Sequence, residues 1–520
     1  MGKVAGRLCA ISLLVVVGGC SSAKRPAVVP ANPEAGAPAR LAEADRLIHA
    51  GCLDCLVAAY GEYDLLRAFP SMRAVAVSGA IRAAALIGLR EREIGHLDQG
   101  YLARARTLFA DTPGVADWMG VMLDFVDAMP NGGSGSTRRP TSDLDLERMR
   151  VLRINGDAWS ARLREVADRD ESAAYTWLTY ACGATQNAAQ KTEDILAPFS
   201  TMRAVPLIAF KGAICRGADG PVLRDLLAAD PRFKEVKYFQ ALQAVGARKL
   251  NDADPLLDEM YAWRPEWPAL TQSIANVAMT SEEFGRALTF YDHTLALEPK
   301  AVEALLGKIR ALTFGGKHLE AIAAADTLIA ERWFVGDARY WRAFNLSELE
   351  RYDEAWTDIE AAAKLVINAE VPKLAGLIAY RRQQLEVSRA KFDESLTRYP
   401  NDCETNFYLG LVLAELRSWE RTAVVLSGAA ACLQQAEQRF VQEIAGIRAS
   451  DDPPARKEAK IARREQYIAT CRRQMATSFF NVAVASFNLQ RTADARAYAE
   501  KVLDDEQFGE RAKEILSRIR

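Results

Sequence analysis

Two sets of residues recur with the same period in the C-terminal half of the chain. Four alanines, each 34 residues from the next, hold the first register: Ala253, Ala287, Ala321 and Ala355. Three prolines with the same spacing hold the second: Pro231, Pro265 and Pro299. A hairpin of two antiparallel helices needs a small residue where the helix axes come closest, and a proline ends the second helix. The shared period therefore predicts a tandem array of helical hairpins.

The register continues downstream with a shift of one residue. Three residues take the small position of the second helix there: Ser388, Thr422 and Ala495. Small residues also recur in the first helix of the pairs, with Ile309 as the exception: Ala241, Ala275, Ala343, Gly376, Gly410 and Ala483. A helix–turn–helix unit of this length and pattern resembles the tetratricopeptide repeat (TPR), over about residues 231–520. The resemblance implies an all-α fold, a right-handed superhelical solenoid of antiparallel helix pairs.

The residues around the clear repeats are also predicted to be helical. Residues 41–129 have the pattern of degenerate helical repeats and residues 143–233 that of diverged ones, as is typical at the end of a solenoid. Tandem units occupy residues 234–432, and residues 476–520 form the last unit and a capping helix. The polar, Gly/Ser-rich residues 130–142 form either a flexible loop or a hinge, and a loop is the favoured interpretation.

Residues 433–475 form a segment longer than a repeat connection requires. Residues 451–454 (Asp-Asp-Pro-Pro) supply cap and first-turn residues for a new helix, so two repeat helices are predicted to lengthen into a projecting antiparallel arm. The second helix of this arm is basic: Arg456, Lys457, Lys460, Arg463, Arg464, Arg472 and Arg473. Two interpretations stay open. A solvated charged face is favoured over a docking arm for an acidic partner or lipid headgroups.

The first residues of the chain have the three parts of an export signal. Lys3 and Arg7 are basic, residues 8–17 are apolar but too short to span a bilayer, and two glycines precede Cys20. The pattern resembles a bacterial lipoprotein signal over residues 1–19, with an ordinary secretory signal or an uncleaved anchor as the alternative. The resemblance implies lipidation, including palmitate, at Cys20.

The lipoprotein resemblance also implies a location. Residues 20–40 comprise the lipidated cysteine and a Pro/Ala-rich tether. Ser21 implies sorting to the outer membrane. We therefore expect a lipid-anchored protein of the bacterial cell envelope, facing the periplasm or lying on the cell surface.

Seven cysteines remain besides Cys20 in the mature chain. Cys52 and Cys55 are the close pair; in an oxidising compartment a disulfide is favoured, and two free core thiols are the alternative. Cys403 opens a repeat and Cys432 ends it, so a disulfide between them is geometrically possible. The pairing of Cys182 and Cys215 stays open. An odd number of thiols leaves one unpaired within a monomer.

Motifs for catalysis and cofactor binding are missing from the sequence. It has no Walker-type loop, GxSxG elbow, HExxH motif or EF-hand loop. No second CxxC and no paired histidines accompany Cys52 and Cys55, so zinc is not expected. A formal net charge of -2 argues against nucleic-acid binding, which needs a basic surface. We expect no enzymatic activity, no cofactor, no metal and no nucleic-acid partner.

In the TPR family the first helices of the pairs line a concave groove that binds extended peptides or helices. Carried over by register, the groove positions of this chain are Tyr238, Gln272, Asn276, Arg310, Tyr340, Phe344, Lys373, Tyr380 and Phe407. Aromatic residues and arginine are common binding anchors, although several of these side chains can instead pack between units. The Lys and Asn clamp that holds a C-terminal carboxylate in some TPR proteins is missing, because Gln272 and Leu377 replace one member of each candidate pair.

The sequence thus predicts a membrane-anchored scaffold that binds proteins or peptides in envelope assembly, secretion or complex formation. The alternative is a surface lipoprotein that captures glycans or nutrients on a TPR core. Lipoproteins of that class carry irregular insertions with exposed tryptophan, whereas three tryptophans here lie within predicted repeat helices: Trp341, Trp356 and Trp419. The identity of the partner and the oligomeric state are left open.

Overall fold

The computed structural model describes residues 34, 36–130, 143–184, 193–217 and 220–519. All regular elements of these residues are helices, which confirms the predicted all-α class. The predictions for the export signal, Cys20, the first part of the tether and residues 131–142 lie outside the described residues. No helix in the described part combines the length and the apolar character needed to cross a bilayer.

In its described residues, the N-terminal part contains nine α-helices with given bounds and a short 3-10 turn, Ala197–Phe199, between the seventh and the eighth; residues 193–196, just before the turn, are also helical. The helices are α1 Ala37–Ala50, α2 Leu53–Leu66, α3 Arg73–Ile94, α4 Tyr101–Ala110, α5 Asp117–Ala128, α6 Asp143–Ala167, α7 Glu171–Ala184, α8 Pro206–Cys215 and α9 Gly220–Ala229. One hydrophobic cluster runs from Ala44 in α1 to Val277 in the repeats. The degenerate helices and the first repeats therefore share a core.

The C-terminal part is an array of helix pairs closed by a last helix. The pairs are α10 Glu235–Gly246 with α11 Leu250–Trp263, α12 Pro268–Thr280 with α13 Phe284–Leu297, α14 Val302–Phe314 with α15 His318–Ala330, α16 Val335–Glu348 with α17 Tyr352–Ala363, α18 Glu370–Arg381 with α19 Leu385–Arg398, α20 Cys403–Glu415 with α21 Trp419–Ala449, and α22 Pro454–Asn488 with α23 Thr492–Glu500. The last helix is α24 Gly509–Arg518. Each helix packs on its neighbours in sequence, as expected for a TPR-like solenoid.

The small residues of the repeat register are the points of closest helix contact. Each of them in the second helices is completely buried: Ala253, Ala287, Ala321, Ala355, Ser388, Thr422 and Ala495. Ser388 adds a hydrogen bond, because its hydroxyl donates to the carbonyl of Gly376 at 2.8 Å. A Cβ at Gly376 would lie 2.6 Å from Phe392 Cδ1, so the bulky residue of the second helix fills the space that the glycine leaves. The packing predicted from the register is confirmed.

The turn inside each pair has a recurring left-handed residue. Seven residues at this position have positive φ: Arg248, Glu282, Gly316, Glu350, Gln383, Arg417 and Gln490. The amide of the following residue donates to a carbonyl five positions back, as from Glu283 to Ala278 at 2.8 Å and from Arg351 to Leu346 at 2.9 Å. This is the Schellman arrangement that satisfies the last carbonyls of a helix. Only one of the seven is a glycine, so the residue type at this position did not predict the left-handed turn.

A buried ionic network joins the N-terminal helices to the first repeat. Arg90 in α3 is enclosed, and it donates to Glu235 Oε1 at 2.7 Å, to Tyr175 Oη at 3.0 Å and to the Gly51 carbonyl at 3.2 Å. The backbone amide of Leu53 donates to the same Glu235 oxygen at 2.8 Å. Because an unpaired buried charge is costly, the network fixes α2, α3 and α10 to one another.

Candidate functional site

A pocket of about 400 Å³ opens between the first helices of three successive pairs, α16, α18 and α20. We call it the groove pocket. Its lining residues are Tyr340, Phe344, Ser347, Glu348, Glu350, Tyr352, Glu370, Lys373, Leu374, Leu377, Arg381, Glu404 and Tyr408. The pocket lies where the register placed the concave surface of the solenoid.

Helical spacing explains how three helices supply this lining. Residues four apart lie on one helix face. On α16 this relation joins Tyr340 to Phe344, and on α20 it joins Glu404 to Tyr408. The same spacing on α18 joins Lys373 to Leu377 and Arg381. The first helices α16 and α20 therefore direct aromatic and charged side chains into the same space, and α18 adds charged and aliphatic ones.

Lys373 is held in place by two carboxylates. Its Nζ lies 2.9 Å from Asp402 Oδ2 and 2.8 Å from Glu404 Oε2. Burial lowers the pKa of Lys373, but the two carboxylates outweigh this effect and hold the pKa above its ordinary value. Lys373 is therefore a charged member of a fixed ion-pair network across α18 and α20.

Two tyrosines of the pocket have raised pKa values. Burial raises the pKa of Tyr340 to about 12, and the carboxylates of Glu370 and Glu404 act in the same direction. For Tyr408, burial is again the main cause of a raised pKa, with Glu404 adding to it. Both phenols are therefore neutral at physiological pH and present uncharged ring faces.

Five of the nine predicted groove residues occupy accessible positions. Tyr340, Phe344 and Lys373 line the groove pocket. Asn276 and Arg310 are exposed on α12 and α14, outside this pocket. The Asn276 amide oxygen accepts a hydrogen bond from Tyr291 Oη at 2.7 Å, so part of its polar capacity is used within its own pair.

The other four predicted groove residues are buried or engaged elsewhere. Tyr238 and Gln272 are 6% exposed, and the Gln272 side chain donates from Nε2 to Glu303 Oε2 at 2.9 Å. Trp267 packs against Tyr238, with ring centroids 4.4 Å apart and the ring planes tilted by 52°, and it donates from Nε1 to the Ile94 carbonyl at 2.8 Å. The end of α3 thus reaches the start of α12 through Trp267, a contact that the repeat register could not show.

Two further predicted positions also need correction. Phe407 is 5% exposed and packs with Leu426, Ala429 and Val482 in the core between α20, α21 and α22. Tyr380 is half-buried, and its hydroxyl donates to Glu415 at 2.7 Å rather than facing the pocket. Both side chains pack between units, which was the alternative interpretation of these positions.

The carboxylates of the pocket were not predicted from the sequence. Four glutamates line it: Glu348, Glu350, Glu370 and Glu404. Glu348 lies four residues after Phe344 on the same face of α16. Extension of the groove face by one helical turn would therefore have identified it.

A row of aromatic rings leads into the pocket from the preceding pairs. The rings of Phe284 and Phe314 stack with centroids 5.6 Å apart, Phe314 meets Trp341 at 5.9 Å, and Trp341 meets Tyr340 at 5.2 Å. Phe314 is 51% exposed. The surface next to the pocket is thus continuous and partly apolar.

The arm formed by α21 and α22 folds back on the repeats instead of standing free. Arg456 donates to Asp254 Oδ2 and to Glu283 Oε1, both at 2.6 Å. Arg463 donates to Glu282 Oε2 at 2.8 Å, and its guanidinium lies 4.5 Å from the centroid of the Phe284 ring. We call these contacts the clasp. The basic face predicted to be solvated, or to dock on a separate acidic partner, is thus paired largely with acidic residues of the same chain.

Three disulfides cross-link the described residues. Cys52 is joined to Cys55, Cys403 to Cys432 and Cys182 to Cys215. The first two are the pairs proposed from the sequence, and the third resolves the pair left open. Cys471 is a buried free thiol. Cys52, Cys55 and Asp230 lie close enough to surround a metal ion, but both sulfurs belong to a disulfide and offer no thiolate.

Comparisons with known proteins find similarity in structure only. No protein-family model and no curated protein matches the chain. The solved structure of YrrB, a TPR protein with an unusual peptide-binding site, is 21% identical, with a TM-score of 0.29, and covers 34% of this chain and 91% of its own. A tetratricopeptide repeat protein from Parabacteroides merdae is 15% identical, with a TM-score of 0.32 and coverage of 55% and 98%. The APC/C hetero-tetramer Cut9–Hcn1 is 10% identical, with a TM-score of 0.40 and coverage of 94% and 97%. None of these similarities assigns a partner to this chain.

Proposed function

We propose that this chain is a lipid-anchored scaffold of the bacterial cell envelope that binds a protein partner through the groove pocket. The size and lining of the pocket are the main support for this proposal. Its 400 Å³ is within the range of pockets that enclose ligand groups. Its aromatic walls and charged rim have the composition of binding hot spots. Because three rigid helix pairs supply the lining, the surface is pre-organised for an extended segment.

The location in the envelope is supported by two observations. The sequence around Cys20 has the pattern of a lipidation site. Three disulfides in the described residues favour an oxidising compartment such as the periplasm or the cell exterior. A lipid anchor and extracytoplasmic folding are therefore compatible with the cysteine chemistry of the whole chain.

Binding rather than catalysis is proposed for the groove pocket because of the residues in it. The described lining contains carboxylates, tyrosines, Lys373, Arg381 and Ser347, but neither histidine nor cysteine. Lys373 is fixed by two carboxylates and keeps its proton, so it is a poor base for activating Ser347.

Capture of a glycan or nutrient is the second candidate. The observation that favours it is the aromatic row from Phe284 to Trp341, because sugar rings stack on aromatic faces. The partly exposed Phe314 ring is the most accessible member of the row. This candidate predicts retention of an oligosaccharide rather than of a protein.

Co-purification of the full chain from solubilised membranes distinguishes these functions. The matched variants are Ser347→Trp, which fills the groove pocket, and Val424→Trp on α21, at a site that is 69% exposed and does not line it. We expect a stoichiometric protein partner with the wild type and with Val424→Trp, and its loss with Ser347→Trp. Equal recovery with all three proteins would contradict the proposed function, and oligosaccharide retention without a protein would favour glycan capture.

A further inference from the structure

We propose that the groove pocket receives a lysine or arginine side chain of a bound peptide segment. This inference rests on the proposed function and specifies the chemistry of its partner. It comes from the balance of charge in the pocket and from the nature of the pocket walls.

Negative charge predominates in the groove pocket. Four glutamates line it against two basic residues, Lys373 and Arg381. Within the described residues, Glu348, Glu350 and Glu370 form no ion pair with a basic side chain, whereas Glu404 is paired with Lys373. Three carboxylates are therefore available to an incoming cation.

The two basic residues do not cancel this excess. Lys373 already lies between Asp402 and Glu404, and two carboxylates on one ammonium leave a net negative group. Arg381 is exposed, but so are Glu348, Glu350 and Glu370, so water and salt screen these four charges alike and the excess of carboxylates remains. Arg381 lowers the pKa of Tyr408, yet burial together with Glu404 and Glu348 keeps that pKa raised.

The walls of the pocket suit the shape of a long cationic side chain. Tyr340, Phe344, Tyr352 and Tyr408 contribute aromatic faces. Lysine and arginine combine an apolar stem, which packs on such faces, with a cationic head that is attracted to aromatic rings and carboxylates. A neutral oligosaccharide would gain little from the excess carboxylates, and an acidic segment would be repelled by them.

Selection from a linear 12-residue peptide library on the full chain in detergent tests the inference. We expect the selected peptides to share a lysine or arginine at one position. In fluorescence anisotropy, replacement of that residue by norleucine should weaken binding at least tenfold. The double variant Glu348→Gln/Glu370→Gln should weaken the cationic peptide at least tenfold and abolish the difference from the norleucine peptide. Glu420→Gln, an exposed glutamate of α21 outside the pocket, should leave both affinities unchanged.

Other outcomes would overturn the inference in distinguishable ways. Peptides whose binding is blocked by Ser347→Trp but is insensitive to the norleucine replacement would refute the cationic side chain and leave the proposed function standing. Selection of acidic peptides whose binding requires Arg381 would also refute the cationic side chain and leave the proposed function standing. Failure to select any peptide that Ser347→Trp blocks would count against both the cationic side chain and the protein-binding groove.

Discussion

Substitution of Gly376 by alanine tests whether the helix pairs touch as tightly as the structure indicates. Gly376 lies in the middle of α18, and an added Cβ would be 2.6 Å from both Cδ1 and Cε1 of Phe392. The Phe392 ring is fully buried and cannot move into solvent. The matched control is Gly428→Ala in α21, because Gly428 is also helical but has nothing within 4 Å of the added Cβ.

The stabilities of the two variants should differ only by the cost of overpacking at Gly376. Alanine is favoured over glycine in a helix by about 1 kcal/mol, and both variants gain this. Only Gly376→Ala adds overpacking, which costs ~1–3 kcal/mol in a close-packed core. We therefore expect Gly428→Ala to stabilise the protein by about 1 kcal/mol. Gly376→Ala should be less stable than Gly428→Ala by the whole overpacking cost.

Urea denaturation of the oxidised protein, followed by circular dichroism at 222 nm, measures this difference. The midpoint should rise for Gly428→Ala and fall below it by a clear margin for Gly376→Ala. If both variants shift the midpoint upward by the same amount, the helices of the pair are not in contact at Gly376. The groove face deduced from that contact would then be wrong.

Three further predictions concern the anchor, a buried carboxyl and the clasp. Cys20→Ser should move the protein from the membrane to the soluble fraction and abolish labelling by a palmitate analogue, whereas labelling of the variant would refute lipidation at this residue. Burial raises the pKa of Glu91 from 4.5 to about 7, so stability should fall as pH rises from about 4.5 to about 7. Glu91→Gln should remove this fall and exceed the wild type at pH 8 by on the order of 2–3 kcal/mol in unfolding free energy, with no gain at pH 4. Arg456→Ala should release the clasp and speed amide hydrogen exchange at residues 451–464. The exposed control Arg473→Ala should not change these rates. Equal exchange rates in the two variants would show that the ion pairs do not hold the clasp.

The hairpin array could be predicted from the sequence because its signal is local. The residues of the Ala253 register are small for a reason that acts between adjacent helices, and all of them are buried as that reason requires. The turns inside the helix pairs were harder to predict from the sequence. Glu350 and Gln383 adopt the left-handed conformation without being glycine, because hydrogen bonds to the end of the first helix compensate for the strain.

The limits of the groove depend on contacts between distant parts of the chain. Tyr238 and Gln272 have the register of groove residues, but both are buried. Tyr238 packs against Trp267, which donates to the carbonyl of Ile94 at the end of α3, and no local pattern encodes that contact. The same applies to the clasp. A helix with Arg456 and Arg463 on it has the composition of a solvated helix, and only the fold brings Asp254 and Glu282 to it.

The candidate site was therefore predicted best where the solenoid has no other neighbours. Tyr340, Phe344 and Lys373 line the groove pocket as the register placed them. The prediction for Phe407 was wrong because its side chain packs on Leu426 and Ala429 of α21 and Val482 of α22 instead of lining the groove. The negative charge of the pocket was missed because carboxylates on helical surfaces are usually solvated, and only the pocket shows which of them converge.

Occupation of the groove pocket by a protein partner can be detected by site-specific photo-crosslinking in cells. A benzophenone amino acid would replace Phe344 in the pocket and, as the control, Val424 on the exposed face of α21. We expect one protein adduct from position 344, mapped by mass spectrometry to a segment containing lysine or arginine, and no such adduct from position 424. The same adduct from both positions, or none from position 344 while the anchored protein is present, would show that the groove pocket is not the binding site.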